Sequence, residues 1–430
     1  MQKKLIAVAV AGLLSAPAFA QTNVTISGTL NAGFESISAG GGTAVTAPIG
    51  GPPGGGESVG SLKSRTRMVD NLSELRFSME EDLGGGLKAF GTIGSTIDPG
   101  NSNVPASTQS GSLGSRNTGV GLRSGKWGEI LFGNWDLQWT YPGMVDGAFV
   151  KGATATSTLA ILHNNGRGGR SVAQGGRYNN QIRYASPNWN GFSFIGAYAR
   201  HIEQVNSSLS APGQNNNYNK ESTWSITPMY NNGPWTAFYS YMKVNDRGMA
   251  AANSGIFGTA GTVDVTGHRA GLGYTFAMGL KIGIIWDRLK SHEQLNVAHI
   301  TGATSGNTSR TAWAIPVFYT TGPHGFGIAY ARAGSINASA NSVAANTLVK
   351  AGDNNTGAHF WNLSYQYSLS KRTNLWANYS KVTNGSGAAY DFVANGGIGM
   401  ASGALIGGAV RAANEGADPR TFGVGIRHVF

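Results

Sequence analysis

Period-two alternation runs through almost the whole of this 430-residue chain. Val24, Ile26, Leu30 and Phe34 oppose Thr25, Ser27, Thr29 and Asn31. Leu75, Phe77 and Met79 oppose Glu74, Arg76, Ser78 and Glu80. Trp361, Leu363, Tyr365, Tyr367 and Leu369 oppose Asn362, Ser364, Gln366 and Ser368. Successive strand residues point to opposite faces, so the pattern predicts strands with one apolar and one polar face. No segment carries a convincing long amphipathic helix. The fold is therefore expected to be all-β.

The connections alternate in length. Seven short ones carry tight-turn chemistry: Gly84–Gly86, Gly125–Gly128, Pro187–Asn190, Asn231–Pro234, Ala277–Gly279, Gly322–Gly325 and Ser370–Arg372. Glycine supplies positive φ there, and proline and asparagine suit turn positions. Eight long segments rich in Gly, Ser, Asn and Ala lie between them, at roughly 36–70, 98–116, 135–176, 204–220, 246–264, 291–309, 335–357 and 384–419. Seven turns and eight loops join sixteen strands. A soluble sandwich has no reason to place every long loop at one end. An antiparallel outer-membrane barrel does, with short periplasmic turns and long extracellular loops. The third loop, about 135–176, is the longest, and a loop of that length is usually functional or disordered. Gly40–Ser58 is low in complexity.

Both ends of the chain point the same way. Met1-Gln-Lys-Lys, the apolar run Leu5–Leu14 and Ala18-Phe-Ala20 read as a secretory signal peptide, residues 1–20, leaving 21–430 as the barrel. That run is too short to span a bilayer as a helix. The last ten residues, Thr421–Phe430, put Phe422, Val424, Ile426, His428 and Phe430 on one face of a final strand. In lipid no strand edge can stay unpaired, so this strand is expected to close onto the first.

Composition agrees. A mean hydropathy of −0.16 fits strands that average apolar and polar residues. The absence of cysteine removes disulfides from consideration. Glycine, 65 of 430 residues, sits in turns and where bulk would block a lumen. The net charge is +11, falling to +9 when Lys3 and Lys4 leave with the signal, which for an exported protein favours anionic solutes or membrane over nucleic acid. Aromatics near strand ends, including Trp127, Trp189, Trp224, Trp235, Trp361 and Trp376, are expected to form interfacial girdles.

Several segments resemble the Gram-negative trimeric general porins of the β-proteobacterial and neisserial type, including anion-selective ones. They are Glu81-Asp-Leu-Gly-Gly-Gly-Leu-Lys-Ala89, Val120–Arg123 with Gly128–Gly133, Arg177–Asn180 with Arg183–Asn188, Leu369–Thr373 and Gly425-Ile-Arg-His-Val-Phe430. The resemblance implies a sixteen-stranded transmembrane β-barrel, a homotrimer and a third loop folded into the lumen as a constriction. It also makes Phe430 and His428 an assembly signal. Expected partners are other copies of the chain, outer-membrane lipid and lipopolysaccharide, the barrel-assembly machinery, and small hydrophilic solutes and inorganic ions. No nucleic acid, cofactor or metal is expected.

Such a channel needs a polar lumen, a narrow waist and charges that set the local field. Parity directs Arg76, Arg123, Arg177, Arg183 and Arg269 inward, since a lipid-facing arginine at mid-depth costs about 2–4 kcal/mol. Strands two, four and six then share a basic wall. By resemblance that wall faces the third loop, and Arg177 matches a family arginine at the start of strand six. Glu74 stands where anion-selective members tend to have arginine. Strict parity from Leu122 turns Arg116 outward, which leaves it to the loop. The third loop brings Asp136, Asp146, Lys151, Arg167 and Arg170, a net +1. A mild anion preference is expected. Two other readings stand beside the diffusion porin: a substrate-specific channel of the same architecture and a barrel hydrolase. No motif selects a catalytic triad, and the chain has neither HExxH nor GxxxxGK[ST].

Overall fold

The computed structural model describes residues 23–42, 62–97, 99, 113–137, 145, 157–162, 177–200, 222–249, 261–295, 305–338, 355–388, 390–392, 403–406, 409–412 and 416–430. The signal-peptide segment, Thr43–Ser58 of the low-complexity stretch, and Asp146, Lys151, Arg167 and Arg170 lie outside them.

The strands close into a barrel. In chain order they are β1 (Asn23–Gly40), β2 (Leu62–Asp70 and Glu74–Gly84), β3 (Leu87–Thr96), β4 (Thr118–Ser124) and β5 (Gly128–Asp136). Next come β6 (Arg177–Ala185), β7 (Phe192–Arg200), β8 (Ser222–Asn232), β9 (Trp235–Met249), β10 (Gly261–Thr275) and β11 (Leu280–Leu295). The series ends with β12 (Ser305–Thr321), β13 (His324–Ala333 and Asn337–Ala338), β14 (Ala358–Ser368), β15 (Thr373–Asn384) and β16 (Asp418–Val429). Each pairs antiparallel with its neighbours, and β16 pairs with β1 from Thr29↔Val429 to Gly40↔Asp418, so no edge remains. Phe430 completes the seam by exchanging two backbone hydrogen bonds with Gly28, at 3.0 and 3.1 Å. Its ring occupies the place of a Gly28 side chain: a Cβ there would lie 2.5 Å from the ring.

All seven expected turns join the strands they were expected to join. Gly128 and Gly279 show why glycine is needed at two of them. Both have φ near +90°, at 94° and 87°, and a Cβ would strike the carbonyl oxygens of Ala185 and Thr320. At the opposite rim the strands run further than expected. β1 continues to Gly40, β9 to Met249 and β11 to Leu295. Their outer ends are polar but still pair through backbone hydrogen bonds, so weak apolar alternation does not stop a strand. The segment before β16 also carries a small hairpin, Gly403–Ile406 with Ala409–Ala412.

The faces follow the alternation. On β16 Phe422, Val424 and Ile426 are exposed on the outside, whereas Thr421 is buried. Trp127, Trp189, Trp224, Trp235 and Trp361 are also exposed. Trp376 is the exception to the expected girdle. It points inward, is 3% exposed, and lies over Gly425 and Gly33 on the two neighbouring strands. Its Nε1 donates to Asn31 Oδ1 at 2.9 Å. Two successive strands lack side chains at one level there, and the indole fills the gap. Beside it β2 is interrupted at Leu72, whose φ is 60°. Asn31 N donates to Ser73 Oγ, and Ser73 N donates to Asp70 Oδ1, so the break leaves these buried backbone groups satisfied.

Candidate pore and constriction

Two sectors of the inner wall differ in chemistry. On β2–β6 the inward side chains are charged. Arg76 meets Glu74 at 2.5 Å, and Arg116 meets the other oxygen of Glu74 at 2.8 Å. Lys88 and Arg123 share Glu80, at 2.6 and 3.4 Å. Arg123 and Arg183 share Glu129, at 3.6 and 3.1 Å. Arg177 meets Asp136 at 3.2 Å, while its Nε donates to Asn117 Oδ1 at 2.8 Å. This pair sits at the loop end of the sector, where a bulge at Asn180 (φ 53°) puts it one step out of the inward alternation that Tyr178 and Trp135 follow. Arg123 also lies over the Phe90 ring, 4.0 Å from its centroid. Six cations therefore share four carboxylates, and the sector keeps a surplus of positive charge. Arg116 departs from strict parity because it precedes β4. Its backbone N–H bonds the Gly94 carbonyl, outside the regular ladder, which lets the side chain reach Glu74.

On β12–β14 a patch of inward positions is small and apolar, Ala312, Ala314, Ala329, Ala331, Ala333 and Ala358, all nearly or fully buried, with Arg310 beside it on β12 and Asn362 and Ser364 further along β14. Loop three covers them. Val145 and the helical turn α1 (Leu159–Leu162) pack on this surface together with Phe360, Val382, Tyr390 and Phe392. A Cβ on Gly283 of β11 would collide with Val145, so that glycine is a seat for the loop. The loop thus packs where one patch of the wall offers alanine and glycine.

A buried ionic cluster holds the end of α1. Arg269 Nε donates to Asp287 Oδ2 at 2.9 Å, and its Nη2 donates to the Leu162 carbonyl at 2.9 Å. Arg310 pairs with the other oxygen of Asp287 and donates to the carbonyls of Ile161 and Leu162. These carbonyls belong to the last turn of α1, and the two guanidiniums donate to them from the wall. All three side chains are at most 2% exposed. Nearby, burial pushes the Tyr390 phenol above its usual range and keeps it neutral.

Of the residues singled out from sequence, Arg76, Arg123, Arg177, Arg183, Glu74 and Asp136 come together on the charged sector. Asp146, Arg167 and Arg170 fall outside the described residues. Phe430 lies at the closing seam, and His428 lies on the outer face with Nδ1 2.9 Å from Thr373 Oγ1. Asp287 and Arg310 escaped sequence reasoning, and Arg269 was placed inward without its partner. The run of inward alanines on β13 was the available signal, because a water-filled lumen does not call for it. Among the described residues no group of His, Asp and Glu is arranged to hold a metal.

Comparison with known proteins matches this architecture. The family profile described as Gram-negative porin matches residues 7–387. An outer membrane porin protein of Bordetella pertussis is 26% identical over 401 residues, 89% of this chain and 95% of that protein. The major outer membrane protein P.IB of Neisseria meningitidis serogroup B is 28% identical over 243 residues, 48% of this chain and 62% of that protein. Among solved structures, the anion-selective porin from Comamonas acidovorans superposes with a TM-score of 0.62 at 20% identity, covering 95% of this chain and 100% of that one. OmpT of Vibrio cholerae, in its trimer form, gives 0.55 at 11% identity, over 95% and 99% of the two chains. A family match over most of the chain, on a barrel whose lumen is lined with shared charges and narrowed by its own loop, establishes that this chain belongs to the Gram-negative porins and is an outer-membrane diffusion channel, not an enzyme.

Proposed function

We propose that the channel works as a homotrimer, passes small hydrophilic solutes and inorganic ions, and mildly prefers anions. The surplus of cations over carboxylates on β2–β6 carries the selectivity reading. Arg76 and Arg123 are about two-fifths exposed, so their charge reaches the solution and raises the local anion concentration. Arg76, Arg123, Arg177, Arg183, Glu74 and Asp136 are the proposed pore-lining set, with loop three, including Asp146, Arg167 and Arg170, narrowing the passage. The name of the Comamonas porin supports the same sign, and the trimer form of the Vibrio porin supports the assembly. Residues 1–20 are proposed to direct export, Phe430 and His428 to mark the chain for the barrel-assembly machinery, and outer-membrane lipopolysaccharide to surround the barrel.

Reversal potentials across a planar bilayer in a salt gradient test the selectivity. A small potential of anion-selective sign is expected, and a cation-selective sign would sink the proposal. Crosslinking of the purified protein tests the assembly, with a three-subunit limit expected.

A further inference from the structure

The outer face carries a repeat that the pore does not use. On β7, β9, β11, β13 and β15 the chain runs from the turn rim toward the loop rim. On each, an outward aromatic residue is followed two positions later by a cation: Tyr198 and Arg200, Tyr241 and Lys243, Trp286 and Arg288, Tyr330 and Arg332, Tyr379 and Lys381. Two positions along a strand keep the same face and climb about 7 Å. The five cations therefore stand just above the aromatic girdle at the loop rim, at the depth where lipid headgroups begin. The matching slots on β1, β3 and β5 are neutral: Phe34 and Ser36, Ile93 and Ser95, Phe132 and Asn134.

We propose that this arc, from β7 round to β16, docks the phosphate groups of outer-leaflet lipopolysaccharide. The inference rests on the outer-membrane porin reading and adds the site and the chemical group it binds. Charge placement favours it. Lys381 stands directly opposite Arg420. Like charges directly opposite across a ladder destabilise it, and an anion between them removes the penalty. Asp418, 3.8 Å from Lys381, is a single carboxylate beside two cations and offsets this pair only in part. Arg420 is held toward the same rim by its Nε, which donates to Ser38 Oγ at 2.7 Å. A soluble acidic protein would not account for a row that follows the girdle strand by strand. A lipid headgroup layer does, because it meets every outward strand at one depth. The neutral arc, β1–β5, is then left for contacts that do not involve phosphate.

The test reconstitutes the full-length porin with bisphosphorylated lipid A or with its dephosphorylated counterpart, and counts lipids retained per barrel by native mass spectrometry. The wild type is expected to retain the phosphorylated lipid at least about fivefold more strongly, with each cation contributing a similar factor. The variant R200Q/K243Q/R288Q/R332Q/K381Q is expected to lose that preference while keeping wild-type single-channel conductance. Equal retention of the two lipids by the wild type overturns the proposal and needs no variant. An undiminished preference in a conducting variant overturns it as well. If the wild-type protein forms no channels, the porin reading fails instead, and the lipid counts separate the two failures.

Discussion

The β2–β6 sector and the Arg269–Asp287–Arg310 cluster use the same chemistry, guanidinium against carboxylate, in opposite surroundings. On β2–β6 the side chains are partly open to the lumen, so water screens each pair and the surplus charge acts on passing ions. In the cluster the three side chains are sealed under loop three, where an unpaired charge is expensive and each donor must find an acceptor. Burial, more than residue type, decides whether an arginine shapes the field of the channel or the shape of its waist.

The sharpest way to break this contrast is Asp287→Asn. It leaves two buried guanidiniums without their counter-charge, and removing one partner of a buried pair costs about 3–5 kcal/mol. Loop three is expected to leave the wall, seen as higher single-channel conductance and new protease cleavage within 138–176, with the barrel still resistant to detergent. Next comes Gly283→Val, which pushes a side chain into Val145 and should cost about 1–3 kcal/mol through overpacking. The same change in conductance is expected, in smaller degree. Wild-type conductance in both variants would show that the cluster does not hold the loop.

Changes on the open sector should act on selectivity and hardly on stability. Glu74→Gln frees both Arg76 and Arg116, so anion preference should rise in a reversal-potential measurement. The melting transition should shift less than in Asp287→Asn, since these half-buried pairs stay in contact with the water of the lumen. A fall in anion preference would mean that Glu74 is needed to hold the arginines toward the passage. The smallest effect is that of salt. Screening lengths shorten from about 10 Å at 0.1 M to about 3 Å at 1 M, so the wild-type preference should fade over that range. A preference that stayed constant would place its origin in the buried cluster.

Much of this was legible because a barrel strand has only two faces. Leu122 facing lipid was enough to turn Arg123 inward, and six of the seven turns were marked by Gly, Pro or Asn, with Ser370–Arg372 the exception. What parity could not supply was contact between distant parts of the chain. Asp287 alternates with Trp286 and Arg288 like any inward residue, and nothing local ties it to Leu162. That link exists only because loop three crosses the lumen. Trp376 misled for a related reason. Aromatics near strand ends commonly mark a girdle, but Gly33 and Gly425 lie far apart in sequence and become one shelf only after closure. Arg116 shows a limit of parity itself, since a residue just outside the ladder is free of the alternation.

The indole of Trp376 also gives the molecule a built-in clock hand. Its burial needs β15, β16 and β1 side by side, so it leaves water only when the first and last strands have met. Emission from this one tryptophan, with the others replaced, would turn to shorter wavelength at the moment the cylinder shuts, and would time that event apart from the arrival of the earlier strands in the membrane.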